Sequence, residues 1–429
     1  MLPTTAPARP ALPLSTLGVR ARQPAVAVLM RKALENPALL SLAAGFTDNT
    51  TLPGAEFVAA AQALAARRGE PEYLNYGTTQ GRPQLRRLLA QRLAHWEPTL
   101  AAADYEGRCL VTTGSQQALY LAVQSLCDPG DIVLVDRPSY FAFLEILTSL
   151  GARPKSLPFD ETGALRIGEL HRLLDELART GEIARVKAVY FVSYFSNPSG
   201  RSLGESDKAA LGRVLAEHGV IVPVIEDAAY RELYFDTPHP ARCVLTLPEW
   251  AAFPKLYALT LTKPFATGGK VGYAFCTDAV WLEQLLAIKG PQDFGSANYN
   301  QALFEEILLA GGFADHLPKV RRGYATKMRA LHGALLAEGL RELGWHWEEP
   351  AGGMYLWLCA PTGFDTGMDG EFCRACVAAG VLYVPGEMCF GDRPARHFIR
   401  ASCGVLSPDQ LREAAKRFVQ VARQFSLKK

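Results

Sequence analysis

The sequence predicts an α/β protein: a mostly parallel central sheet covered by helices, with a smaller α+β unit after it. Three observations predict it. From about residue 54 to 310, short Val/Ile/Leu-rich runs alternate with amphipathic stretches, as strands buried on both faces alternate with their covering helices. After about 312 the texture changes to one long helical stretch followed by shorter elements. The chain has 429 residues, long enough for two or three domains at roughly 100–200 residues each. The division expected is an N-terminal arm and part of the small domain over 1–53, a large domain over 54–312 and a small C-terminal domain over 313–429.

The elements follow in order. Strands are expected at CLVTT (109–113), DIVLVD (131–136), KAVYFVS (187–193), VIVPVIED (220–227), LYALTL (256–261) and VGYAFC (271–276). Helices are expected at 115–127, 139–150, 166–179, 205–218 and 278–289, where apolar residues recur at helical spacing. Further on come a helix through KVRRGYATKMRALHGALLAEGL, strands at MYLWLC, VLYV and HFIRAS, a helix near 369–379 and a closing helix from Ser407. The Pro- and Ala-rich start, MLPTTAPARP, reads as a flexible arm.

Composition narrows the function. Hydrophobic residues make up 49% and charged residues 21%, and the formal net charge is +2. That balance argues against a protein built to grip nucleic acid, and 49% hydrophobic content excludes disorder as the main state. No apolar run reaches the ~18 residues of a membrane span, and no signal core is seen, so a cytoplasmic protein without membrane partners is expected. The nine cysteines, 109, 127, 243, 276, 359, 373, 376, 389 and 403, show no disulfide spacing. Cys373 and Cys376 lie on one predicted helix with no second pair or His cluster, so no metal is expected.

In parallel sheets, ligands sit beyond the carboxyl ends of the strands, and four such ends stand out. The first, CLVTT, runs through Gly114 directly into a helix beginning Ser115-Gln116, an anion site in waiting. The second ends at Asn197-Pro-Ser-Gly, which is also an ordinary turn. The third closes on an acidic pair ending at Asp227, with Tyr230 three residues on; a helix cap explains Asp227 as well as a ligand does. The fourth ends at Lys263, before a glycine-containing loop that reaches Lys270. Together they supply an anion cradle, an amide, a carboxylate and a lysine at one sheet edge. Pyridoxal 5′-phosphate needs that set: a phosphate to cradle, an aldehyde that forms a Schiff base with lysine, and a ring nitrogen kept protonated by an acid.

With these motifs in this order, 30 residues from Asn197 to Asp227 and 36 more to Lys263, the chain resembles the class I/II aminotransferases, pyridoxal-phosphate enzymes of fold type I, from about residue 41 to 420. SLAAGFTDNTTLP, NYGTTQGRPQLRRLLA and PGEMCFG look similar to the aminoadipate and aromatic aminotransferase branch. The resemblance implies an internal aldimine on Lys263, which then acts as general base, and Asp227 on the pyridine nitrogen. It implies Tyr230 and Asn197 on the ring hydroxyl oxygen, Ser115, Gln116, Thr260, Thr262 and Lys270 on the phosphate, and Tyr140 stacked on the ring. Arg400 would clamp the substrate carboxylate bidentately, with Asn197 and Gly45 close to the substrate. Tyr76 would reach the phosphate of a second subunit, which implies a homodimer with shared sites. Arg20 and Arg22 are candidates to pair with a side-chain carboxylate of the substrate. The family usually has Arg where Lys270 stands, and Pro264 follows the lysine where a small polar residue is usual.

The implied reaction is transamination between an L-amino acid and a 2-oxo acid, 2-oxoglutarate among relatives, by a ping-pong mechanism. The same residues would equally serve elimination, cyclisation, decarboxylation or oxidation of an amino acid. Relatives of this fold also act as effector domains of transcription regulators, but the segment before the first motif has no helix-turn-helix pattern.

Overall fold

The computed structural model describes residues 12–21, 31, 35–36, 38–67, 69 and 71–426; the expected arm over 1–11 lies outside them. Seven strands form the central sheet: β2 (Cys109–Thr112), β3 (Ile132–Val135), β4 (Arg153–Ser156), β5 (Val186–Val192), β6 (Val224–Asp227), β7 (Lys255–Thr260) and β8 (Gly272–Cys276). Their order is β2-β8-β7-β6-β5-β3-β4. β4, β3, β5, β6 and β7 pair in parallel, and β8 runs antiparallel to both its neighbours. The carboxyl ends of β2, β5, β6 and β7 therefore share one edge of the sheet, as the fold class requires.

The helices cover both faces. Ser115–Leu126, Phe141–Leu150 and Ala279–Asp293 pack Leu119, Phe143, Leu147 and Leu285 on one side, and Ile167–Arg179 with Glu205–Glu217 packs Leu170, Leu174, Leu177 and Leu211, beside Trp250 of the turn Pro248–Trp250, on the other. Leu170, Leu173, Leu174 and Leu177 are buried at helical spacing, each worth roughly 1.5–3 kcal/mol once removed from water.

Two differences from the expected strands have local causes. β6 begins at Val224 and not at 220, because Pro223 lacks the N–H a central strand must donate. β4 is an edge strand of sequence RPKS, whose charges and proline give no apolar signal but suit an exposed edge.

Beyond the long helix Gly312–Ala337, β11 (Val384–Pro385), β12 (Phe398–Ser402) and β9 (Tyr355–Cys359) form an antiparallel sheet. β1 (Leu40–Ser41) pairs in parallel with β10 (Val381–Leu382). The stretch after β1 is stitched into the core: Lys327 pairs with Asp48 at 2.7 Å, and Thr47 Oγ1 lies 3.0 Å from Thr267 Oγ1 in the loop after Lys263. Among the described residues, no helix is long and apolar enough to cross a membrane.

Candidate active site

β6 ends in two acids whose side chains leave on opposite faces of the sheet. Glu226 turns to a buried lysine, Lys208, at 3.2 Å. Asp227 turns the other way, accepting from Tyr190 Oη (3.2 Å) and the Ala229 N–H (3.0 Å), with no cation in ion-pair range among the described residues. Burial pushes its carboxyl up to about 6, so the pocket favours a proton or a cation beside it. Tyr190 is fixed by stacking on Phe143, ring centroids 3.6 Å apart.

β7, next to β6, continues through Thr260 and Thr262, whose hydroxyls lie 2.6 Å apart, to Lys263. The Lys263 ammonium donates to the Gly45 carbonyl at 2.9 Å. At the end of β2, Gly114 takes a φ of +73° and caps the helix Ser115–Leu126 without a side-chain acceptor. The Ser115 and Gln116 N–H groups are thus left for an anion, while the Gln117 N–H donates to the Gly114 carbonyl at 3.3 Å. A Cβ on Gly272, at the start of β8, would sit 2.2 Å from the Gly114 carbonyl carbon, so a glycine there is what lets β8 press against the cradle. Lys270, at φ +52° and exposed, stands two residues before β8.

Arg400, on β12, is 1% exposed. It donates to Asn197 Oδ1 at 3.0 Å and to the Ala43 carbonyl at 2.6 Å. Its guanidinium lies 4.4 Å from the Tyr355 ring centroid and 5.1 Å from that of Phe141. No carboxylate pairs with it among the described residues, and its Nε has no partner. Tyr230 Oη lies 3.3 Å from Tyr355 Oη, and burial holds the Tyr230 hydroxyl well above its ordinary range. Tyr140 donates to Gln116 Oε1 at 3.2 Å.

The structure thus gathers Asp227, Tyr230, Asn197, Arg400 and Gly45 with Lys263, and sets Gly114, Ser115 and Gln116 at the neighbouring strand end. Tyr76 is 81% exposed, with its ring 5.7 Å from that of Phe294, itself 71% exposed. Arg20 lines a cavity of about 540 Å³ together with Gln116, Phe141, Leu144, Met388 and Phe390, with its guanidinium over Gly151; the helix Thr16–Arg20 packs against Phe141–Leu150. Arg22 lies outside the described residues.

Three residues here were missed by the sequence reading. Tyr190 is the single hydroxyl-bearing side chain within β5, a signal visible but not decisive. Tyr355 gave none. Asp136 follows β3, accepts from the Val192 N–H at 2.9 Å and leaves Oδ1 without a partner; burial, with a smaller push from Asp227, raises it to about 7.

A buried carboxylate seeking a cation, a glycine-turned helix start seeking an anion and a lysine bonded to one carbonyl fit pyridoxal phosphate. Residues 39–418 match the family Aminotransferase class I and II. The chain belongs to that family. It is 28% identical to aromatic-amino-acid aminotransferase 1 of Thermococcus litoralis over 92% of this chain and 90% of that one. It is 30% identical to 2-aminoadipate transaminase of Thermus thermophilus over 90% of each. Among solved structures, the alpha-aminoadipate aminotransferase LysN of Thermus thermophilus, complexed with N-(5′-phosphopyridoxyl)-L-leucine, superposes with a TM-score of 0.80 at 27% identity, covering 97% of this chain and 98% of that one. This aminotransferase is accordingly a pyridoxal-phosphate enzyme of fold type I.

Proposed function

We propose that this aminotransferase moves the amino group of an L-α-amino acid to a 2-oxo acid, 2-oxoglutarate among the acceptors, by a ping-pong mechanism in a homodimer with shared sites. The observation that carries the reading is Arg400. A guanidinium this buried without an anion is costly, and a carboxylate is what offsets it. Amino acids and 2-oxo acids both carry that carboxylate. One clamp therefore serves both half-reactions, with the first product leaving before the second substrate enters.

When bound, pyridoxal phosphate supplies an aldehyde for the substrate amine and an electron-poor ring that delocalises the charge left at Cα. Asp227, steadied by Tyr190, would pair with the ring nitrogen and keep it protonated. Arg400 fixes the substrate carboxylate bidentately, with Asn197 orienting the guanidinium. Lys263 Nζ would accept and carry the proton released from the substrate Cα. Tyr230 would hydrogen-bond the ring hydroxyl oxygen; the helix start at Gly114–Gln116, with Thr260, Thr262 and Lys270, would hold the phosphate, and Tyr140 would stack on the ring. Residues 54–312 form the cofactor-binding half, while 1–53 and 313–429 supply Ala43, Gly45 and Arg400. The exposed pair Tyr76 and Phe294 is the surface we assign to the second subunit, whose phosphate Tyr76 reaches. All nine cysteines are unpaired, which supports a reducing, cytoplasmic setting.

Initial rates with an amino acid and 2-oxoglutarate both varied test the mechanism. Parallel double-reciprocal lines are expected, and intersecting lines would overturn it. Arg400→Lys should raise KM for the amino acid and the oxo acid alike; a change confined to one of them would end the shared clamp. Light scattering of the holoenzyme reads the dimer.

A further inference from the structure

At the end of β9, three side chains distant in sequence come together. Glu161, His346 and Cys359 each offer a ligand atom, and the three atoms lie within 4.8 Å of one another. Glu161 Oε2 and His346 Nε2 are 3.9 Å apart. Each residue is presented by fixed backbone. Asp160 Oδ1 accepts from the Thr162 N–H (2.8 Å), the Thr162 hydroxyl (2.6 Å) and the Ala164 N–H (3.1 Å), which shapes the turn that carries Glu161. His346 and Cys359 face each other across a two-residue bridge, exchanging N–H···O bonds of 3.0 and 2.9 Å. The Cys359 thiol is 6% exposed and lends its hydrogen to the Ala360 carbonyl at 3.6 Å. The Glu161 and His346 side chains are exposed, 68% and 64%, and so free to close in.

We propose that Glu161, His346 and Cys359 form a site for a borderline-soft divalent cation of the Zn²⁺ type, completed by water. The donor chemistry selects the metal: thiolate and imidazole suit Zn²⁺ and exclude Mg²⁺ and Ca²⁺, which take oxygen sets. A tetrahedral Zn²⁺ with such ligands needs donor atoms roughly 3.5 Å apart, about 1 Å closer than here, within reach of two exposed side chains. Two other titratable groups face the site. Arg201 acts on Cys359 but is engaged by Glu348 at 3.2 Å. His397 interacts electrostatically with Glu161 and His346, and burial lowers its pKa from the ordinary value. Metal binding would join the turn after β4 to β9. In β9, Cys359 pairs with Phe398, two residues before Arg400. The cation would thus brace the strand that carries the clamp against the central sheet's own loop. Three ligands drawn from positions 161, 346 and 359 show no spacing in the sequence, which is why no metal was expected from it.

The test uses Co²⁺ as a probe on the intact, chelator-treated holoenzyme, read as a difference spectrum against the same holoenzyme without metal. The expected result is a near-ultraviolet sulfur-to-cobalt band saturating at one cobalt per chain, with Kd on the order of 10 µM, and displaced by Zn²⁺. Zn²⁺ should also raise the unfolding midpoint by a few degrees. Cys359→Ser should abolish the band, and His346→Ala and Glu161→Gln should weaken binding at least about tenfold. The last two residues are exposed, so their variants fold regardless, and the cofactor's own visible band certifies the fold of Cys359→Ser. No saturable band up to ~1 mM cobalt, a band that survives Cys359→Ser, or one indifferent to both His346→Ala and Glu161→Gln would overturn the site. None of these outcomes bears on the aminotransferase reaction.

Discussion

Glu226 and Asp227 are neighbours on one strand, both buried, yet their surroundings are opposite. Glu226 accepts from Lys208, from the Ser193 hydroxyl (2.5 Å) and from the Val244 N–H (2.7 Å). Asp227 has two neutral donors and no cation. The buried arginines divide in the same way. Arg231 is paired with Glu97 at 2.6 Å and donates to Tyr257 Oη at 2.7 Å, whereas Arg400 meets an amide and a carbonyl. Charges that hold the fold are neutralised by the chain itself. Charges that serve the reaction are left for the ligand to neutralise, at a standing cost to stability.

The contrast can be broken or sharpened by substitution. The largest effect is expected at Lys263: Lys263→Ala should lower kcat roughly 10⁴-fold, the upper end of what a proton-transfer group contributes, and remove the visible band of the holoenzyme. Next come the two arginines. Arg231→Met leaves Glu97 buried and unpaired and should cost about 3–5 kcal/mol in urea unfolding. Arg400→Met removes an uncompensated cation and should leave stability unchanged or raised, while lowering kcat/KM by about 10²–10³-fold. Equal stability losses for both would erase the distinction.

Third, the pH dependence of the cofactor-free protein should single out Asp227. Its folded value, about 6, lies above the ordinary 3.8, so its stabilising contribution is complete below pH 3.8 and lost as pH rises through about 6. Asp227→Asn stays neutral. It should match the parent near pH 4 and exceed it by up to about 3 kcal/mol above pH 7, measured by denaturant unfolding. The smallest effects separate the two carboxylates by their hydroxyl donors. Tyr190→Phe should lower kcat about fivefold with stability little changed, and Ser193→Ala should cost about 1 kcal/mol of stability with kcat unchanged.

The sequence carried the strand–helix alternation, the order of the four strand ends and the residues at them, because buried parallel strands are apolar runs and turn residues follow them. The resemblance picked Asp227 of the β6 pair; the residues alone did not, since the choice depends on the pleat and on Lys208 lying beneath Glu226. Nor could it find Tyr355, whose place beside Tyr230 and Arg400 is set by the antiparallel register of β9 with β12. Nor does the position of Arg20 in the chain say how the helix Thr16–Arg20 lies against Phe141–Leu150.

One short piece of backbone touches both ends of the chemistry. The Ala43 carbonyl accepts from Arg400 and the Gly45 carbonyl from Lys263, two residues apart on a stretch anchored by β1 at one side and Asp48 at the other. A substrate carboxylate bound by Arg400 would compete with the first carbonyl, and engagement of Lys263 by the cofactor would withdraw the donor from the second. Loading and reaction therefore tug on a single tether, and amide hydrogen exchange along residues 42–47 becomes a reporter of catalytic progress that needs no chromophore.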